Sequence, residues 1–194
     1  MNNNKIYLIN LCLLITCIVS RILTSIFYIE DIDSLRFALS LNEYDLSNLQ
    51  PHFPGYFVYY ILIKPIYEIT SNIGISHSIL GGISIYLCII FVLKIFSITL
   101  YSKKGFYITL LIFFNPLMWL MSNRYMPDIA GLALVSISFY YINKQKIFKN
   151  IFCLGPITFG LLSGLRLSYI PFLLFPLVKN FFRNKSKIKF MSSI

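Results

Sequence analysis

Residues 55–69, GYFVYYILIKPIYEI, decide how this chain folds, because they are apolar enough to enter a membrane yet carry two charges. The stretch is shorter than the roughly 20 residues that a helix needs to cross a hydrocarbon core. Lys64 and Glu68 lie four residues apart and therefore share one face of a helix. Such a helix suits the membrane surface, with its apolar side in the interface. The alternative is a short span, and the charges on either side decide between the two.

The composition is that of an integral membrane protein. The chain has 194 residues, of which 57% are hydrophobic and 12% charged, and its mean hydropathy is +0.74. A soluble domain carries about a quarter charged residues. The net charge of +10 would indicate nucleic-acid binding in a soluble protein. Here the basic residues fall in short clusters between apolar runs, as the positive-inside rule describes, so we expect no nucleic-acid partner.

Six further apolar runs are candidate membrane spans. They predict an all-α polytopic membrane protein, with about six transmembrane helices, an interfacial helix in the first outer loop and a single transmembrane domain over residues 1–194. The first run follows Lys5 and shows no small-residue cleavage site, so we interpret it as an uncleaved anchor. Several runs are short, and prolines interrupt the last two. The runs are Ile6–Phe27, Ser78–Leu100, Gly105–Met121, Ile129–Ile142, Ile151–Leu165 and Leu167–Phe182.

Charge bias favours the surface position for residues 55–69. If they spanned the membrane, Asp128 would lie opposite the other acids and most lysines would be outside. If they lie on the surface, all seven acids are outside. The basic residues on that outer side are Arg36, Lys64, Arg124 and Arg166. The basic residues on the cytoplasmic side are Lys5, Lys103, Lys104, Lys144, Lys146, Lys149, Lys179, Arg183, Lys185, Lys187 and Lys189. We therefore expect an inner-membrane protein with both termini in the cytoplasm and outer loops at residues 28–77 and 122–128.

Five of the seven acids lie between Glu30 and Asp45, directly after the first apolar run. Glu30, Asp31 and Asp33 place three carboxylates within four residues. These groups repel one another, which raises at least one pKa unless a cation or a metal neutralises them. A carboxylate so placed is a natural general base or metal ligand, so Asp33 and Asp31 are the catalytic candidates. The structural alternative is that Asp33 caps the short helix predicted over LRFALSL.

Three residues in the outer loops are candidates for substrate binding. His52 lies in QPHFPGY, where two prolines hold the backbone extended and Gly55 permits a tight turn, so a binding role and a structural role both stay open. Arg124 and Asp128 lie in the second outer loop. The dipole of the following helix explains Asp128 by itself, but topology puts this acid beside the first cluster.

Two arginines complete the candidates for substrate binding. Arg21 lies inside the first apolar run, where an arginine is a site hypothesis by default and snorkelling to the nearer face is the alternative. Arg166, in GLRLSY, could hold a phosphate bidentately at the third outward turn. With the carboxylates, these arginines suit a lipid-linked anionic substrate, whose phosphate would meet arginine and whose reacting head would meet the acids.

The segment SRILTSIFYIEDIDSLRFALSLNEYDLSNLQPHFPGY, residues 20–56, resembles the first span and first outer loop of GT-C glycosyltransferases. This group uses polyprenyl-phosphate sugars and includes the protein O-mannosyltransferases and aminoarabinose transferases. NPLMWLMSNRYMPD resembles the second outer loop of the group, and GLRLSYIPFLLFPL a later span with its arginine. Phe53 stands where the group commonly has proline. The residues that match the first-loop pattern are Arg21, Asp33, Ser34, Phe37, Ala38, Leu39, Leu41, Tyr44, Asp45, Gln50, Pro51, His52, Pro54, Gly55 and Tyr56.

The resemblance implies inverting transfer of a sugar from a lipid phosphate to an acceptor hydroxyl on the outer membrane face. The acid at the position of Asp33 would act as the base, with or without a divalent cation, and Asp128 would help to shape the same site. Such proteins are usually longer, so the resemblance predicts an N-terminal part that is completed by a missing C-terminal half or by a partner subunit. The alternatives are a non-catalytic lipid-carrier binder, an accessory membrane subunit or an inactive fragment.

Overall fold

The computed structural model describes residues 3–144 and 154–191, and all regular structure in these two ranges is helical. The predicted all-α class is confirmed for this part of the chain. Two of the lysines predicted on the cytoplasmic side, Lys146 and Lys149, lie outside the described residues. The helices are α1 (Asn3–Leu23), α2 (Ile32–Ser40), α3 (Phe57–Thr70), α4 (Ile73–Ile95), α5 (Lys103–Phe113), α6 (Pro116–Asn123), α7 (Asp128–Lys144), α8 (Leu154–Leu165) and α9 (Ile170–Met191), with a 3-10 turn at Leu167–Tyr169.

Each predicted span has a helical counterpart, but the third is broken. The run predicted as one helix over Gly105–Met121 forms α5 and α6, which meet at an angle of 55°. The side chain of Asn115 accepts a hydrogen bond from the backbone N–H of Met118 at 3.0 Å and so caps α6. Pro116 occupies the first helical position, where its missing N–H costs nothing. The first three residues of the predicted run Ile151–Leu165 lie outside the described residues.

The first two long helices run in opposite directions. The hydroxyl of Ser25, just after α1, donates to the hydroxyl of Ser78 near the start of α4, at 2.8 Å. Ile6, at the other end of α1, lies beside Leu93 at the end of α4. Between these contacts, the backbones approach so closely that a Cβ on Gly82 would lie 2.7 Å from the Cα of Ile18. Glycine is therefore required there, because only a residue without a side chain lets two helix backbones approach so closely.

The later helices alternate in direction as well. The ring of Phe91, late in α4, packs edge-on against Tyr140, late in α7, so α4 and α7 run the same way. Gly155, early in α8, lies against Ile142, whereas Leu165, at the end of α8, shares a buried cluster with Ala130. Thus α8 returns antiparallel to α7, and α9 then starts from the end at which α7 began.

Membrane insertion is supported by helix length and by the outer surface. Two helices, α1 over Asn4–Leu23 and α4, are long and apolar enough to cross a membrane, and α5 with α6 makes a third if the bent pair is one span. Many large apolar side chains face outward with nothing packed over them, which a lipid-facing surface explains. Examples on three helices are Leu8, Leu23, Leu111, Phe172 and Phe175.

The first loop contains α2 and α3, which a lysine links. The predicted helix after the acids is α2, but the capping prediction for Asp33 is wrong. Asp31 is the N-cap, because its carboxylate accepts from the backbone N–H of Ser34. In α3, the predicted pair of Lys64 and Glu68 forms, with 3.7 Å between Nζ and Oε1. Lys64 also donates to the carbonyl of Leu41, at the end of α2, at 2.8 Å.

Candidate functional site

Charges collect at the two ends of the helical bundle. We call the end that holds Glu30, Asp31, Asp33 and Asp128 the carboxylate end; there α1 finishes while α4 and α7 begin. We call the end that holds Lys94, Lys103, Lys104 and Lys144 the lysine end; there α4 and α7 finish and α5 begins. All seven site residues predicted from the sequence belong to segments at or near the carboxylate end.

Arg124 binds two of the three clustered carboxylates. Its Nε donates to Glu30 and its Nη2 donates to Asp31, across more than 90 residues of sequence. The other oxygen of Asp31 accepts from the backbone N–H of Ser34 at 2.7 Å. This backbone bond, followed by the Arg124 charge, outweighs partial burial and lowers the pKa of Asp31. The repulsion expected among the three acids is thus relieved by a cation, and both oxygens of Asp31 have partners.

Asp33 keeps one oxygen available. Its Oδ1 lies 3.2 Å from a guanidinium nitrogen of Arg36 and 3.6 Å from Nδ1 of His52. Among the described residues its Oδ2 has no hydrogen-bond partner, and the side chain is 42% exposed. Asp33 therefore contacts a cation through one oxygen, and its other oxygen can still accept a hydrogen bond from a bound group. Of the two catalytic candidates, only Asp33 has this freedom.

The loop after α2 holds His52 over the carboxylates. A turn at Gly55, with φ of +92°, reverses the chain, and the hydroxyl of Tyr44 donates to the Gly55 carbonyl at 2.7 Å. The hydroxyl of Tyr56 lies 3.3 Å from Nε2 of His52. The ring of His52 also packs edge-on against Phe37 of α2. The predicted tight turn at Gly55 is confirmed, and it fixes the His52 ring between Asp33 and Tyr56.

Asp128 and Arg166 form the second half of the site. Oδ1 of Asp128, at the start of α7, lies 2.8 Å from Nη2 of Arg166, just after α8. Burial raises the pKa of the Tyr56 hydroxyl, and Asp33 and Asp128 raise it further against the opposing charge of Arg166. Tyr56 therefore remains a protonated donor at neutral pH. It lies between the two halves and joins Asp33, His52, Asp128 and Arg166 into one cluster.

Two nitrogens in this cluster are buried and have no hydrogen-bond partner among residues 3–144 and 154–191: Nδ1 of His52 and Nε of Arg166. Buried polar atoms in proteins are nearly always paired, and exceptions call for an explanation. Both atoms border the same group of acids, so an anionic or hydroxylated ligand would satisfy them.

An apolar groove of about 380 Å³ lies between α3, α4, α7 and α8. Its lining includes Leu165 and Ala130, which are one residue from Arg166 and two residues from Asp128 in the sequence. Further along, its walls are aliphatic, with Leu62, Leu87 and Ile137 among them. Such a groove can receive a hydrocarbon chain whose polar head lies among the charged side chains.

Arg21 has a different environment from the other predicted residues. Its side chain is fully buried, and its Nε donates to the Ser122 hydroxyl at 2.8 Å. A second nitrogen donates to the carbonyl of Phe113 at 3.2 Å, and the guanidinium carbon lies 3.8 Å from the centre of the Trp119 ring. Among the described residues, no carboxylate pairs with it. Arg21 therefore links α1 to the break between α5 and α6, and it does not snorkel.

The clustered acids do not fit a divalent cation. No group of three or more His, Cys, Asp or Glu side chains in residues 3–144 and 154–191 has the geometry to hold a metal ion. The guanidinium of Arg124 already neutralises Glu30 and Asp31, so the positive charge at this position belongs to the protein.

Two residues of this end were missed in the sequence. Tyr56 carries a signal, since it closes the QPHFPGY pattern, but nothing in the pattern singles out its hydroxyl. His77 carries none, because it precedes the predicted span at Ser78. The structure places it early in α4, buried against the ring of Tyr125 at 4.6 Å between centroids.

Comparisons with protein-family models, with curated proteins and with solved structures find no match to this chain. Its function must therefore be argued from the geometry of the carboxylate end and from the residues that build it.

Proposed function

We propose that this chain is a membrane glycosyltransferase region that transfers a sugar from a polyprenyl-phosphate donor to an acceptor hydroxyl, with inversion. One observation carries the proposal. A cluster of Asp33, His52, Tyr56, Asp128 and Arg166, contributed by separate segments, contains two buried unpaired nitrogens and lies beside an apolar groove. A lipid phosphate bearing a polar head matches all three features, and the first-loop resemblance points to the same chemistry.

In this proposal, Asp33 is the base. Its carboxylate accepts the proton of the acceptor hydroxyl while the hydroxyl oxygen attacks the anomeric carbon of the sugar. The bond from that carbon to the phosphate oxygen breaks, and the lipid phosphate leaves with the bonding electrons. Nε of Arg166 stabilises the charge on the departing phosphate, while Nη2 of the same guanidinium is held by Asp128. Tyr56, as a protonated donor, orients the sugar or the phosphate.

We also infer six membrane crossings, by α1, α4, the bent pair α5 and α6, α7, α8 and α9. The alternating helix directions support this topology, as does the separation of acids and lysines to opposite ends. The short helices α7 and α8 would then cross with the help of their neighbours. In this arrangement the carboxylate end faces outward from the inner membrane, the termini are cytoplasmic, and α3 lies in the outer interface.

A specific observation favours a second function, that of a non-catalytic binder of the lipid carrier or an accessory subunit. Oδ1 of Asp33 is paired with Arg36 at 3.2 Å, so one of its two oxygens is already engaged within the protein. Arg166 and the groove would bind a polyprenyl phosphate equally well without turnover. A missing C-terminal half or partner subunit would then supply the reaction.

The test is sugar transfer in membranes that contain the chain, with a panel of labelled polyprenyl-phosphate sugars. We expect Asp33→Asn to lower the rate about 100-fold or more, because general-base catalysis contributes on the order of 10² to 10⁴. Glu43→Gln is the matched control, since it changes an exposed carboxylate of the same loop to an amide. Equal rates for Asp33→Asn and wild type would remove the catalytic assignment. Binding of the lipid phosphate that depends on Arg166, without any transfer, would establish the second function.

A further inference from the structure

The lysine end contains two cations that no acidic side chain pairs with in the described part of the chain. Lys94 lies in the last turn of α4 and Lys144 in the last turn of α7. All seven acids lie within residues 30–128, and the nearest in sequence to Lys144, Asp128, begins α7 at the opposite end. That helix of 17 residues separates the two by roughly 25 Å, at 1.5 Å per residue.

Both ammonium groups make cation–π contacts with the same aromatic ring, that of Tyr140. Nζ of Lys144 donates to the hydroxyl of Tyr140 at 2.6 Å and lies 5.0 Å from the centre of its ring. Nζ of Lys94 lies 5.9 Å from that centre and 4.7 Å from the centre of the Phe91 ring. The hydroxyl oxygen of Tyr140 accepts a hydrogen bond from Lys144. The hydroxyl hydrogen of Tyr140 is therefore available for donation to a bound anion. Both lysines line the same groove, so their charges attract an anion into it.

The space between these groups is a groove of about 380 Å³ with a mixed lining. Ser97 and Asn143 add polar groups beside the lysines, while Ile95 and Phe139 add apolar surface. Phe91, Tyr140 and Tyr141 pack together at the same level, with 5.6 Å between the first two ring centres and 5.2 Å between the last two. Aromatic clusters of this kind mark the headgroup level of a membrane protein.

We propose that this groove binds the phosphate headgroup of an anionic membrane phospholipid. The two lysines and the Tyr140 hydroxyl contact the phosphate, and Ile95 and Phe139 contact the start of the acyl chains. The mixed lining favours a lipid over a soluble anion, because a soluble anion gains nothing from the apolar wall. The site depends on α4 and α7 crossing the membrane and not on sugar transfer, so the two proposals can fail separately.

The test uses the purified full chain in mixed micelles of phosphatidylglycerol and phosphatidylcholine in equal amounts, with bound lipids identified by native mass spectrometry. We expect wild type to retain phosphatidylglycerol on the order of 10-fold better than phosphatidylcholine, since each lysine near an anionic surface contributes roughly 5-fold. Lys94→Gln combined with Lys144→Gln should abolish this preference. Lys94→Arg combined with Lys144→Arg should retain it and shows that the loss is not one of folding.

Lys103→Gln combined with Lys104→Gln is the matched control, because it removes the same charge from exposed residues of the same end. This control should keep the preference. An equal loss in the control would show diffuse charge attraction instead of a site. An unchanged preference in the Lys94 and Lys144 double variant would overturn the proposal. Displacement of phosphatidylglycerol by inorganic phosphate at millimolar concentration would likewise overturn it, in favour of a soluble-anion site.

Discussion

The two ends of the bundle differ in whether their charged side chains form ion pairs. At the carboxylate end, Arg124 holds Glu30 and Asp31 and Arg166 holds Asp128, so charges from distant segments are paired. At the lysine end, Lys94 and Lys144 contact aromatic rings, and no acidic side chain of the described residues forms an ion pair with them. Paired charges across long sequence separations fix the geometry of a site. Unpaired charges can instead bind a charged group from outside the chain.

This contrast predicts that the two ends lie on opposite sides of the membrane. The largest effect expected is therefore a difference in thiol accessibility between the two ends. Phe53→Cys, at a highly exposed position beside the carboxylate end, should react fully with an impermeant thiol reagent added to intact cells. Lys103→Cys, at the lysine end, should react only after permeabilisation. Both variants need a background without Cys12, which is exposed, and without Cys153.

Labelling of Lys103→Cys from the outside would exclude the six-span topology.

Loss of a paired cation should cost more stability than loss of an unpaired one. Arg124→Gln leaves Glu30 and Asp31 facing each other without a cation, and we expect about 2 kcal/mol lower free energy of unfolding in detergent. Lys144→Gln removes the same charge at the lysine end, where we expect a change within about 0.5 kcal/mol. Denaturant titration measures both. Equal losses would mean that the pairing does not distinguish the two ends.

The carboxylate end should also make stability depend on acid pH. The pKa of Asp31 is held below its ordinary value of 3.8 by the Ser34 N–H and by Arg124, so this stabilisation is present above that value and is lost as pH falls through the lowered pKa. We expect the unfolding temperature of wild type to drop below about pH 4. Asp31→Asn keeps the cap but has no charge to titrate, so its drop should be smaller. Identical pH profiles would contradict the pairing of Asp31.

The smallest effect concerns the link between α2 and α3. Lys64→Met removes the hydrogen bond to the Leu41 carbonyl and the pair with Glu68, and we expect a loss of about 1 kcal/mol in the free energy of unfolding. Glu68→Gln removes the exposed pair alone and should cost about 0.3 kcal/mol. If the two variants lose the same amount, the hydrogen bond to Leu41 contributes nothing.

Much of the fold follows from the sequence by simple physics. Apolar runs predict the helices, because a chain in lipid must satisfy its backbone internally. The four-residue spacing predicts the contact of Lys64 with Glu68, and it forms. The break at Asn115 is harder to foresee, because the apolar run continues through it, and only a polar cap before Pro116 marks the bend.

The candidate site is less visible in the sequence. The distribution of charges along the sequence predicts that the acids lie at one end. It does not predict that Arg124 pairs with Glu30 and Asp31 while Asp33 keeps an unpaired oxygen. That choice depends on how α6 and α7 pack against the end of α1. The N-cap of α2 is equally hard to predict, because Asp31 and Asp33 are both plausible caps from the sequence. Only the residue at which α2 begins distinguishes between them.

The most direct measurement is the ratio of sugar-transfer rates between Glu43→Gln and Asp33→Asn, determined in the same membranes with the same polyprenyl-phosphate donor. We expect a ratio of about 100 or more, because Asp33 carries a free oxygen in the cluster and Glu43 lies outside it. A ratio near one, with transfer present in both variants, would contradict a reaction site at the carboxylate end with Asp33 as its base.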